Sequence, residues 1–207
     1  MNDVAMDAYL QATDIIDWQH PAVLDMANRL AADYKQSAAI ANACFVWVRD
    51  NIRHSVDYQL NPVTRRASEV LQHRTGYCYA KSHLLAALLR ANTIPAGFCY
   101  QRLSMDEQGA PYCLHGLNAV YLPEIGWYRI DTRGNRAGVN AQFTPPYEKL
   151  AFKLQCADEL NFPAVLPEPL DIVVATLQSH HTWNEVLKNL PDVSPEMADG
   201  YGLWNNP

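Results

Sequence analysis

Three side chains in the 207-residue sequence have the types needed for thiol chemistry on an acyl group: Cys78, His115 and Asp131. A thiol attacks a carbonyl. An imidazole draws off the thiol proton and later delivers it to the leaving group, while a carboxylate orients and charges that imidazole. Cys78 follows the polar turn Arg74-Thr75-Gly76-Tyr77 and opens the run 79–91, which is rich in Ala, Leu, Lys and Arg and free of Gly and Pro. Its high helix propensity, with Leu84, Leu85, Leu88 and Leu89 at helical spacing, predicts a helix whose first turn holds the cysteine. Unpaired amides and the positive end of the helix dipole favour a thiolate there, and can stabilise negative charge developing on an attacked carbonyl. Asn92 is expected to close the helix as a left-handed cap ahead of Pro95. Taken alone, the stretch favours a nucleophile over a half-buried cysteine that fills space, but the inference needs partners.

The partners depend on a sheet. After Pro95, residues 96–103, 114–122 and 127–131 read as strands. A polar loop joins the first two, and the turn composition Pro123-Glu124-Ile125-Gly126 joins the last two. An antiparallel sheet packed on the cysteine helix follows, an α+β arrangement. With a loop of 123–125, Leu122 faces Gly126; counting back puts His115 opposite Arg133 and Leu117 opposite Asp131. His115 and Asp131 are then diagonal neighbours on one face, with Cβ atoms roughly 7–8 Å apart. One more loop residue would put them on opposite faces. Each residue also has an ordinary reading, as a half-buried strand histidine and as the start of a turn toward Gly134-Asn135.

These blocks resemble the transglutaminase-like domain family of the papain-like cysteine protease fold. The resemblance runs over residues 40–135, through Ala67-Ser68-Glu69-Val70-Leu71 and Arg74-Thr75-Gly76-Tyr77-Cys78. It continues through Leu84-Leu85-Ala86-Ala87-Leu88-Leu89-Arg90-Ala91-Asn92-Thr93-Ile94-Pro95-Ala96, His115-Gly116-Leu117-Asn118-Ala119-Val120-Tyr121-Leu122 and Gly126-Trp127-Tyr128-Arg129-Ile130-Asp131-Thr132. It implies a cysteine helix packed on an antiparallel sheet, with Cys78 as nucleophile, His115 as general base and acid, and Asp131 as orienting carboxylate. No cofactor or metal is implied. The chain departs from the family pattern at Gly116-Leu117, where a small residue and a tryptophan are usual, and at Thr132-Arg133-Gly134-Asn135, where Pro or Ala and then Thr are usual. Lys81 and Ser82 also differ from many members. Tyr58, His54, Tyr77 and Asn118 are candidate cleft or oxyanion residues.

The remaining elements frame this core. A helix from Pro21 should bury Val23, Leu24, Ala27, Leu30, Ala31 and Tyr34, after a short strand or helix within 9–16. Ser37 should cap a second helix through Ile52 that buries Ile40, Cys44, Trp47 and Val48, with Trp47 in the core or on the cleft wall. Residues 53–64 read as an extended loop, and Thr64 as the cap of a short helix carrying Ala67, Val70 and Leu71. Beyond the sheet come a loop at 140–146 and a short strand or helix at 147–152. A linker punctuated by Pro163, Pro167 and Pro169 leads to helices at 170–177 and 183–190. The tail from Tyr201, with Trp204, is expected to fold back over the cleft or a partner. His180-His181 suggests a metal or, more simply, an exposed helix junction. A catalytic unit of 1–160 with a C-terminal helical extension of 161–207 packed on it is the expected division.

A formal net charge of -6 and the absence of a basic stripe argue against nucleic acid. The acidic start Met1-Asn2-Asp3-Val4-Ala5-Met6-Asp7 lacks the regions of a signal peptide, and no apolar run is long enough to span a bilayer. A cytoplasmic protein is expected. Five cysteines at uneven spacing do not form a disulfide scaffold or a zinc motif, although Cys99 and Cys113 could pair reversibly across a hairpin. The expected activity is thiol-dependent hydrolysis or transfer of an amide in a peptide, protein or small molecule. Hydrolysis is preferred because water needs no acceptor pocket. The alternatives are a non-catalytic or redox-sensing binding module that retains the fold. The oligomeric state stays open.

Overall fold

The computed structural model describes residues 6–106 and 108–205. After a 3-10 turn at Ala8–Leu10, two helices pack together, Pro21–Ala31 (α1) and Ser37–Asn51 (α2). Pro21 fills the first turn of α1, and the His20 ring accepts a hydrogen bond from the Ala22 amide at 3.3 Å. Val23, Met26 and Ala27 form its buried face, whereas Tyr34 lies past the helix end and is 48% exposed. Ser37 is the first residue of α2 and not its cap; Gln36 precedes it and makes no side-chain bond. Ala41, Cys44, Phe45 and Val48 are buried on α2, while Ile40 and Trp47 are half-buried.

The stretch expected to be an extended loop is more ordered. Arg53–His54 (β1) pairs in parallel with Thr75–Gly76 (β2), and Ser55–Tyr58 (α3) makes one helical turn. Both elements are too short to show a period in the sequence. Thr64 does not cap the next helix, Ala67–His73 (α4). Its hydroxyl donates to the Thr75 carbonyl at 2.9 Å, and Glu69 instead accepts from the Arg65 and Arg66 amides at 3.0 and 3.1 Å.

The cysteine helix, Cys78–Ala91 (α5), is the centre of the molecule, with every residue from Cys78 to Arg90 buried. Helices α1, α2 and α4 cover one side and the main sheet the other. Its charged residues are tolerated because main-chain oxygens receive them. The Arg90 guanidinium donates to Ala96 O at 2.9 and 3.2 Å, to Gln11 O at 2.7 Å and to Pro167 O. Burial lowers its pKa to about 10. The left-handed residue after α5 is Thr93 (φ 56), not Asn92. Asn92 stops the helix with its side chain, whose amide donates to Leu88 O at 2.9 Å and Ala27 O at 3.2 Å.

The main sheet contains Ala96–Ser104 (β3), Tyr112–Leu122 (β4), Gly126–Ile130 (β5) and Leu160–Asn161 (β6), in the order β5-β4-β3-β6, all antiparallel. Leu122 pairs with Gly126 and Asn118 with Ile130, the register required by a loop of 123–125. Cys99 faces Leu117 and Cys113 faces Leu103, so these cysteines are not cross-strand partners. The proline-punctuated stretch is a sheet edge: β6 pairs with β3, and Leu166 bridges to Phe98. Prolines are tolerated at such an edge because no ladder bond is asked of their nitrogens. Residues 147–152 form neither strand nor helix beyond an isolated Gln142–Lys149 bridge. Asp171–Ser179 (α6) and Trp183–Lys188 (α7) follow, then a 3-10 turn at Ala198–Tyr201. The described part of the tail does not cross the cleft. Trp204 packs on Phe162 with ring centroids 5.6 Å apart, and Leu203 O accepts from the Ala164 amide. Among the described residues no helix is long and apolar enough to cross a membrane.

Candidate active site

Cys78 is the first residue of α5, preceded by Tyr77 in an extended conformation (φ -64, ψ 165), and no side chain caps this end. Gly76 permits the tight entry: a Cβ there would lie 3.0 Å from Ala80 Cβ and 3.2 Å from Thr64 Oγ1. The Tyr77 hydroxyl donates to the Trp183 carbonyl, tying the turn before the cysteine to α7. Cys78 is 8% exposed and opens onto a cleft of about 280 Å³ that His115 also lines.

The register brings His115 and Asp131 together, although Asp131 lies one residue past the end of β5. His115 Nε2 is 2.8 Å from Asp131 Oδ2. Asp131 Oδ1 accepts from the Arg133 amide at 2.9 Å, and Oδ2 also accepts from the Ala151 amide at 3.1 Å. Asp131 is 1% exposed, and burial would raise its pKa, yet His115 and these amides hold it below the usual value. Burial likewise works to lower the His115 pKa. The Asp131 charge, then the Cys78 charge and hydrogen bonds to both, outweigh it and raise the pKa above the ordinary imidazole value. With Nε2 engaged by Asp131, Nδ1 is the nitrogen left for the sulfur. Phe152 stands perpendicular to the His115 ring, centroids 5.0 Å apart, and restricts its rotation. Gly116 lets β4 approach α5, since a Cβ there would sit 2.8 Å from the Tyr79 ring, and the Tyr79 hydroxyl donates to Leu114 O.

The other candidates separate. His54 lines the cleft and is buried, its ring 5.5 Å from that of Tyr77. Its Nδ1 accepts from the Val56 amide at 3.3 Å, so the neutral ring carries its proton on Nε2. Burial, then the charges of Arg133, Lys81, His115 and Arg136, keeps the His54 pKa well below its ordinary value. Tyr77 lines the cleft, but its hydroxyl is occupied by Trp183. Tyr58 does not line it: the residue is 58% exposed and stacks under Arg53. Asn118 does not reach it either. Wholly buried on β4, it donates to Ser82 O and Gly97 O, both at 3.1 Å, and ties α5 to the sheet. Trp47 lies under the Arg74 guanidinium, 4.7 Å from it, and not in the cleft wall. His180 Nδ1 is 2.8 Å from Thr176 O, and among the described residues no group of three His, Cys, Asp or Glu could hold a metal.

Three contributions have no signal in the local sequence. Ala151 and Phe152 come from a segment without periodicity. Leu187 and Leu190, from the C-terminal region, form a wall of the cleft. Lys81, three residues beyond the cysteine, is buried and donates from Nζ to Ile52 O at 2.5 Å and Arg49 O at 3.3 Å.

Burial pushes Cys44, Cys99 and Cys113 up to about 12. Those thiols stay protonated near neutral pH, whereas Cys78 has an imidazole partner. Iodoacetamide at neutral pH is therefore expected to modify Cys78 well before these three, as read by peptide mass mapping. Equal rates at all four would mean that His115 does not activate the sulfur.

A profile described as the transglutaminase-like superfamily matches residues 24–132. Among solved structures, a candidate cysteine protease from Cytophaga hutchinsonii superimposes with TM-score 0.53 at 19% identity, over 64% of this chain and 43% of that one. The periplasmic domain of TgpA from Pseudomonas aeruginosa superimposes with TM-score 0.47 at 21% identity, over 64% and 48% of the two chains. The chain thus spans less than half the length of either structure. No curated protein matches it.

Proposed function

The chain belongs to the transglutaminase-like superfamily, and we propose that it transfers the acyl group of an amide through a thioester on Cys78. The observation that carries this reading is the 2.8 Å contact between His115 Nε2 and Asp131 Oδ2, in a cleft whose wall holds the Cys78 thiol. The Cys78 thiolate attacks the scissile carbonyl, and its sulfur forms the new bond to carbon. Charge developing on the carbonyl oxygen is met by the first-turn amides of α5 and by the Nε2–H of His54, a neutral donor. The His115 imidazolium gives its proton to the departing amine as the C–N bond breaks. In the second half, His115 takes a proton from water or an amine as it attacks the thioester, and Cys78 leaves as thiolate. Hydrolysis is the preferred outcome, because water needs no pocket of its own.

The substrate's acyl side meets an apolar wall that includes Leu103, Leu114, Phe152 and Leu187. The reading is tested by incubating the protein with cell extract and measuring its intact mass. An increment on the Cys78 peptide that hydroxylamine removes, and that is absent from Cys78→Ala, is expected. No increment, or one elsewhere in the chain, would defeat it. A redox-sensing reading has one observation behind it: Cys113 lines the same cleft as Cys78. A Cys78–Cys113 disulfide formed by mild oxidation in a protein that never acylates would favour it.

A further inference from the structure

A second cavity, of about 340 Å³, lies beside the cleft and shares His54, Arg133 and Arg136 with it. Its wall sets Arg49, Arg53, Lys81, Arg133 and Arg136 against two carboxylates, Asp50 and Asp57. This positive surplus occurs in a chain whose formal net charge is -6. A concave site lined by one sign of charge focuses the field and concentrates ions of the other sign.

Both carboxylates are already committed. The Arg49 guanidinium forks onto Asp50 at 2.7 and 2.8 Å, and Arg133 forks onto Asp57. Arg136 approaches Asp57 only loosely, Nε to Oδ2 3.7 Å, and its side chain is 54% exposed. Arg53 has no carboxylate within ion-pair distance among the described residues; its guanidinium lies over the Tyr58 ring, 5.3 Å from the centroid. Among the described residues Lys81 Nζ is met by the carbonyl oxygens of Ile52 and Arg49, beneath Gly134, whose missing Cβ would stand 3.5 Å from Nζ. Arg53 therefore stands in this cavity without a carboxylate partner among the described residues, and Arg136 has only a share of the Asp57 that Arg133 already grips. Lys81 contributes less charge than the arginines, because burial first and the Arg133 charge second bring its pKa down to about 7, with Asp131, Asp50 and Asp57 pulling the other way.

We propose that this cavity is an anion subsite that receives a carboxylate of the substrate, so that the enzyme selects acidic amides. The proposal rests on the acyl-transfer reading and narrows its substrate class. A carboxylate is the anion of choice because the cavity already grips one: Asp57 lies in the Arg133 fork, with one hydrogen bond of 2.8 Å. The shared wall of His54, Arg133 and Arg136 would then let one substrate present its scissile carbonyl to Cys78 and its carboxylate to Arg53 and Arg136.

Calorimetric titration of the Cys78→Ala protein with glutarate, neutral glutaramide and inorganic phosphate reads the subsite without turnover. Glutarate is expected to bind, and glutaramide about tenfold more weakly or not at all. Adding Arg53→Gln and Arg136→Gln together should weaken glutarate about tenfold while leaving the melting temperature in place, since both side chains are on the surface. No glutarate binding, equal binding of glutaramide, or an unchanged affinity in the triple variant overturns the subsite. Phosphate binding more tightly than glutarate overturns the carboxylate assignment. A missing adduct at Cys78 sinks the acyl-transfer reading, whereas a missing titration signal sinks only the subsite, so the two failures are told apart.

Discussion

Cys78→Ala is expected to abolish turnover, a loss on the order of 10⁶ in kcat, while the protein keeps its fold. Alanine retains the Cβ and the helical preference at the first position of α5, and the sulfur it removes belongs to a residue that lines the open cleft, so no closed cavity is left in the core. His115 keeps Asp131 and the Phe152 wall, so its ring does not need to move. His115→Ala should cost about as much, because without a base near the sulfur neither half of the reaction has a proton carrier. The double variant should be no worse than either single one, since residues that act as a unit are grossly non-additive. The measurement is kcat on the acyl donor identified by the Cys78 adduct, with melting temperature as the control for folding. A residual rate near that of the parent would remove the sulfur from the chemistry. Multiplicative losses in the double variant would separate the sulfur from the imidazole.

The parts of this site that were legible in the sequence are those governed by local rules. Gly76, Cys78 and the Ala/Leu run place a cysteine at a helix start by propensity alone, and the helix begins at Cys78. The meeting of His115 and Asp131 follows from the parity of one turn, 123–125, because side chains alternate along strands. What escaped is non-local. Helix α5 is buried on all sides, not on one face, because its neighbours come from both ends of the chain; Lys81 meets carbonyls distant in sequence, and Arg90 meets those of Gln11 and Pro167 as well as the nearby Ala96. The two-residue ladder of β1 and β2 is below any periodic signal, and it turns His54 into the cleft while Tyr58 stays outside. Asn118 sits three positions from His115 on β4 and therefore points to the opposite face, into the contact with α5; alternation alone could have excluded it from the cleft. The amide of Ala151 and the ring of Phe152 come from irregular chain, whose path is set by what it packs against.

The second large loss is expected from Asp131→Asn, about 10⁴ in kcat. Three N–H donors converge on this carboxylate: His115 Nε2 at 2.8 Å, Ala151 N at 3.1 Å and Arg133 N at 2.9 Å. An amide has one oxygen, so its NH₂ must face at least one of them. If it faces His115, the ring is forced into the tautomer with its proton on Nδ1, leaving no base toward the sulfur. If it faces Arg133, the ring orientation survives but the charge is gone. The pH profile distinguishes charge from shape. The Asp131 charge is the main influence raising the His115 pKa against the opposing effect of burial. Removing it moves that pKa down, so the alkaline limb of kcat/KM should shift to lower pH. Stability carries the same sign. A histidine raised on folding contributes stability fully present below its unfolded pKa, ~6.5, and lost as pH rises through the folded value. The Asp131 carboxyl, depressed on folding, contributes stability above ~3.9 that is lost as pH falls through its folded value. The melting-temperature gap between parent and variant should therefore be widest between about pH 4 and 6.5 and narrow toward both extremes. An aspartate that only held the Ala151 and Arg133 amides would lower the melting temperature and leave the alkaline limb where it was.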